Sequence, residues 1–169
     1  MVVKNSSMCP YCSMLWVSDC TNEVYVSDRL QLLVDMYVAW GTYLQKHAVP
    51  IADLTHLWAW QRITQARLQA ALCHATPGYP PWPTVDPDDH AAKDAINAWI
   101  QATYGHVDAQ TAWVRWRDGY CEVMRLAQAV PASAWDDPAV VPWLGGYVLW
   151  DVIIGTVEHH CEHLEEVPL

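Results

Sequence analysis

The chain has 169 residues, 53% of them hydrophobic and 17% charged, which suits one folded domain with a real core and excludes a wholly disordered chain. A formal net charge of −10 removes the basic footprint that nucleic acid or an anionic membrane surface needs, so neither is expected as a partner. No basic-plus-apolar signal stands at the N-terminus, and the most apolar stretch, Tyr147 to Val157, contains Asp151 and is too short to span a bilayer.

Residues 1–25 hold Cys9, Cys12 and Cys20 and show little apolar periodicity. An irregular Cys-containing arm is expected there, with some order near Val24–Val26, followed by one helical domain over 26–169. Cys9-Pro10-Tyr11-Cys12 copies the glutaredoxin-type active dipeptide. That chemistry needs the motif between a strand and a helix, and no βαβ pattern follows, so a metal-clipped or disordered arm fits better than redox catalysis. The six Cys lack the spacing of a disulfide framework and fit free thiols in a reducing compartment, which makes the cytoplasm the expected location.

The first helix is predicted from a Ser27 cap to about Lys46, with Leu30, Leu33, Val34, Tyr37, Trp40, Gly41 and Leu44 at helical spacing. The second starts at Pro50, a residue suited to a first helical position, and ends near Cys73. His56, Ala59, Ile63, Ala66 and Ala70 fall on one of its faces. The Pro-rich segment Pro77–Pro87 excludes helix interior and central strand alike. A shorter helix runs from about Pro87 to Tyr104, capped by Asp86 and stopped by Gly105. Asp108 is the expected cap of the next long helix, whose wide apolar stripe runs from Ala109 to Val130 before Pro131. Gly145-Gly146 leads into the last helix, Tyr147 to about Glu165, apolar almost all round in its first half. The expected fold is therefore all-α: a four-helix bundle with a long crossover connection that contains a short extra helix. Trp occurs 11 times and Phe not at all. Buried indoles need partners for their N–H groups, so several Trp are expected at the core margin or around a pocket.

The chemistry-bearing segment is Thr156-Val157-Glu158-His159-His160-Cys161-Glu162-His163. His159 and His163 are four apart, so their rings lie one above the other on one helix face, where neutral imidazoles can share a transition metal. Two ligands rarely suffice, and His56, on the apolar face of the second helix, is the best third. The same spacing near a helix C-terminus equally favours the helix dipole, and spacing alone leaves both readings standing. Asp53 can orient an imidazole or simply suit a first helical turn. Glu158 and Glu162 flank the histidines as a general base or ligand, or as solvated surface. Glu162 and Asp53 are the catalytic candidates. Trp60, Trp99 and Tyr104 are the substrate-binding candidates, with plain core packing as the alternative.

Four segments carry a resemblance. Asp53-Leu54-Thr55-His56-Leu57-Trp58-Ala59-Trp60 resembles the Asp…His-Leu-Trp segment of the DinB-like superfamily. Asn97 stands where the ClbS/DfsB branch usually carries Asn. Trp143-Leu144-Gly145-Gly146 with Leu149-Trp150-Asp151 resembles the approach to that branch's last helix. Thr156 through His163 resembles its Thr-Tyr-Glu-His-Tyr-x-Glu-His ending. The four occur in the family's order and span about residues 27–166. The sequence departs from the pattern in a very short connection at about His47 to Val49, in His160 for the family's Tyr, and in the Cys-containing arm. His160 is thus an alternative to one of the ligands.

The resemblance implies a four-helix bundle in which His56, His159 and His163 hold a divalent metal, with zinc, nickel or iron all suited to three imidazoles. Three protein ligands would leave an open position of the catalytic kind. By the same resemblance, the leading function is a metal-dependent hydrolase acting on a small reactive or toxic molecule. The ClbS/DfsB branch is associated with hydrolytic opening of a reactive cyclopropane. A second implied function is a metal- and thiol-dependent isomerase or transferase that uses a low-molecular-weight thiol. Relatives are often homodimers. A non-catalytic bundle that sequesters a small molecule, with the histidines merely structural, is the alternative from another class.

Overall fold

The computed structural model describes residues 28–46, 51–82 and 90–165, and every regular element among them is helical. The helices are α1 (Asp28–Lys46), α2 (Ile51–Cys73), α3 (His90–Tyr104), α4 (Ala109–Ala129) and α5 (Leu149–Glu165), with short 3-10 turns at Ala132–Ala134 and Pro142–Leu144. The expected arm, the Ser27 cap, the Pro50 start and the Asp86 cap lie outside the described residues. No helix among those described is long and apolar enough to cross a membrane.

The four long helices close into a ring. α1 packs on α4 and α5, and α2 packs on the same two, most extensively on α4. The shorter α3 lies against α2 on the outside of this ring. Leu33, Met36 and Trp40 of α1 recur at helical spacing and enter one core with Leu54, Leu57 and Leu68 of α2, Trp116, Tyr120 and Val123 of α4, and Leu149 and Ile153 of α5. A second, smaller core joins Ala59 and Ile63 of α2 to Trp82 and to Ala92, Ile96 and Ile100 of α3.

α2 differs from its sequence expectation. Its buried residues include Leu54, Thr55, Leu57, Gln61, Thr64 and Leu68, besides Ala59, Ile63 and Ala70, so they encircle the helix instead of forming one stripe. The cause is its position: α2 is covered by α3, α4 and α5 together, which makes it the central element.

Helix ends follow local chemistry. α2 closes in a Schellman motif: His74 takes the left-handed conformation at φ 51, and Ala75 N–H donates to the Ala70 carbonyl at 2.9 Å. Asp108 caps α4 as expected, accepting from Thr111 N–H at 2.9 Å. Before α5, Gly145 and Gly146 have φ of 64 and 103, a reversal that side chains with a Cβ disfavour. Asp151 then accepts from Val148 N–H at 2.8 Å and satisfies one of the free donors at the helix start. Cys73 and Cys161 are free thiols, whereas Cys121 on α4 is disulfide-bonded, which departs from the free thiols expected throughout.

Candidate metal centre

His56 lies in the second turn of α2, and His159 and His163 lie one turn apart near the end of α5. Packing of α2 on α5 brings the three rings together: centroids are 4.9 Å apart for His56–His159, 4.9 Å for His56–His163 and 5.1 Å for His159–His163. One ring nitrogen from each lies within 4.8 Å of the others, and the Nε2 atoms of His56 and His159 are 2.9 Å apart. Nitrogens sharing one tetrahedral ion at about 2.0–2.1 Å stand about 3.4 Å apart, so small side-chain rotations bring these three onto one ion.

Electrostatics agree with that fit. Burial, and then the charges that His159 and His163 would carry, hold His56 down to about 3. Burial again leads at His159, followed by His160, His163 and Lys93, and its pKa is also about 3. Both imidazoles are therefore neutral with lone pairs ready, the state in which histidine ligates. His163 supplies a further observation. Its Nδ1 is buried without a hydrogen-bond partner, and the Asp53 carboxylate stands 3.6 Å away, just beyond direct bonding. A proton on Nδ1 directed at Asp53 leaves the lone pair on Nε2, the arrangement by which a carboxylate orients a metal-binding histidine.

His160, between the two ligand candidates in sequence, is held by the core. It is fully buried, its Nδ1 lies 2.7 Å from the Thr156 carbonyl, and its Nε2 meets Trp116 Nε1 at 3.3 Å and Gln61 Nε2 at 3.3 Å. An imidazole that donates from Nδ1 to a carbonyl must accept at Nε2, and the indole and amide donors match that tautomer. Burial lowers its pKa most; the Thr156 carbonyl opposes, His163 and His56 add to the fall, and the result is about 4. His160 is thus a satisfied core residue, and its side chain stands apart from the group of three. Its own carbonyl accepts from Trp40 Nε1 at 3.1 Å. Trp40 and Trp116 are accordingly fully buried in the core rather than at its margin, because α5 supplies a partner to each indole N–H.

His56, His159 and His160 line a cavity of about 390 Å³, and His163 stands outside its lining. Trp60, Gln61, Thr64, Arg67, Lys93, Asn97 and Thr156 line it, with Glu158 and Glu162 at exposed positions on α5. Trp60 stands beside the cluster, its ring centroid 6.2 Å from His56 and 5.9 Å from His159, and its Nε1 donates to Asn97 Oδ1 at 3.0 Å. Trp99 and Tyr104 do not line this cavity. Tyr104 packs edge-on against both Trp58 and Trp99, with centroids at 4.9 and 5.6 Å, and accepts from Arg62 at 3.4 Å. The sequence reading also missed Gln61, which is buried between α2 and α4, and the buried pair Thr64–Thr156, whose hydroxyls meet at 2.8 Å. A polar residue inside an apolar helical pattern was the available signal for both.

No family model, curated protein or solved structure matches the chain.

Proposed function

We propose that the protein is a divalent-metal-dependent hydrolase of the DinB-like, ClbS/DfsB kind, acting on a small reactive or toxic molecule, with a bundle crossover of that family's type. The observation that carries this reading is the convergence of His56, His159 and His163 on one point, with His56 and His159 lining a cavity and Asp53 behind His163. The three imidazoles would hold zinc, nickel or iron. Such an ion, when bound, lowers the pKa of a water or polarises a substrate oxygen. Asp53 orients His163. Glu162, exposed on the cavity rim one residue before His163, is the side chain we assign to take a proton from the attacking water. Trp60 offers an aromatic face beside the histidines for an apolar part of the substrate.

The test is a panel of small strained electrophiles, incubated with protein loaded with each metal. Metal-dependent ring opening that incorporates labelled water, and that falls at least tenfold in Glu162→Gln, is the expected outcome. Turnover that requires an added low-molecular-weight thiol would favour the transferase or isomerase reading instead. Metal binding with no turnover of any electrophile would favour a sequestering bundle.

A further inference from the structure

Lys93 and Asn97 stand one turn apart on α3, and both line the cavity that His56 and His159 line. Trp60 fixes the Asn97 amide: its indole N–H donates to Oδ1 at 3.0 Å, so the free end of that amide is the Nδ2 donor. Among the described residues, no carboxylate lies within ion-pair distance of Lys93. Its ammonium is nonetheless close enough to His159 to disfavour the protonated imidazole. The carboxylates around this cavity, Asp151, Glu158 and Glu162, all belong to α5 and are exposed. The other cation in the lining, Arg67, donates through Nε to the Tyr79 hydroxyl at 3.3 Å. The cavity is thus polarised, with acid on α5 and unneutralised donors on α3, in a chain whose net charge is −10.

We propose that the cavity takes a ligand with a carboxylate head, seated on the Lys93 ammonium and the Asn97 amide donor. The rest of the molecule then runs past Trp60 toward the histidines. Two adjacent N–H donors, one of them charged, match the two oxygens of a carboxylate. The acidic rim of α5 disfavours the reverse orientation. This assignment rests on the cavity being a small-molecule site, as the function above requires, but not on the metal.

The experiment uses the full chain, both metal-free and zinc-loaded, with 3-phenylpropanoate and its neutral counterpart 3-phenylpropanamide as calorimetric probes. The wild type should bind the carboxylate about tenfold more tightly than the amide in both forms, the size expected of one charge-assisted contact. Lys93→Met should abolish the preference without changing the amide's affinity, and Lys93→Arg should keep most of it. Asn97→Asp, which retains an acceptor for Trp60, should invert it. Equal binding of the two probes, binding of neither, or a preference that survives Lys93→Met would overturn the proposal. A preference that appears only with zinc and survives Lys93→Met would mark a carboxylate on the ion and overturn it equally. Zinc titration of the same samples reports the metal reading separately, so either can fail alone.

Discussion

The two faces of the last turns of α5 carry histidines of one type in two different situations. On the core face, His160 has both nitrogens engaged, by the Thr156 carbonyl on one side and by Trp116 and Gln61 on the other. On the side turned to His56, His159 meets only another imidazole at hydrogen-bond distance, and His163 Nδ1 is buried without a hydrogen-bond partner, 3.6 Å from the Asp53 carboxylate. All four clustered histidines are at least partly buried, so burial does not tell the faces apart. What separates them is whether the protein itself satisfies the ring. A satisfied imidazole is structural, whereas ring nitrogens converging on one point form a group that could hold a metal ion.

The largest effect that sharpens this contrast is on stability at the core face. His160→Ala should leave Trp116 Nε1 and Gln61 without their shared acceptor and open a void, at a cost of about 3 kcal/mol. Urea unfolding measures it. His163→Ala, which removes an unsatisfied nitrogen, should cost far less in the metal-free protein, and equal losses for the two would erase the distinction.

Next is Gly119, where α4 passes closest to α2. A Cβ there would run into Gln61 Oε1 and come within 3.0 Å of Trp58 Cδ1. Gly119→Ala should therefore displace Gln61 from His160 and destabilise by about 1–3 kcal/mol, although Ala is the better helix former. A stability gain in thermal unfolding would show that Gln61 has room to move.

Asp53 should act on the side of α5 turned to His56 alone. Asp53→Asn removes the carboxylate behind His163, and metal affinity should fall about 10–100-fold with the urea midpoint little changed. Unaltered metal affinity would reduce Asp53 to a helix-start residue.

A further expected effect is a pH trend shared by both faces. His56 and His159 titrate at about 3 and His160 at about 4 in the fold, against 6.5 ordinarily. Between those limits the unfolded chain binds more protons, so stability rises with pH there. The metal-free protein should be fully stable above about pH 6.5 and weaken progressively toward pH 4. Unfolding midpoints at pH 7.5, 6 and 5 check the trend, and a flat series would contradict the burial of these rings.

Much of this architecture is readable from residue order. The spacing of Leu33 and Trp40, the Asp108 cap and the Gly145-Gly146 turn lead to the observed α1, α4 and the start of α5, because each reports a local preference. The convergence of His56 with His159 and His163 was also expected, from the four-residue spacing and the resemblance together. The all-round burial of α2 was not legible, since it depends on α3, α4 and α5 all covering one helix. Nor was the role of His160. Its neighbours Gln61 and Trp116 are 99 and 44 residues away in sequence, and which imidazole finds protein partners is decided only by packing. Trp99 and Tyr104 illustrate the same limit, since aromatic residues at helical spacing serve a core and a pocket equally well.

The central claim is that the side of α5 turned to His56 binds a metal and the core face does not. Calorimetric zinc titration of the chelator-stripped full chain tests it most directly. The account predicts one tight site, lost in His56→Ala, His159→Ala and His163→Ala and retained in His160→Gln. Absence of zinc binding, or binding that survives His159→Ala and disappears in His160→Gln, would contradict it.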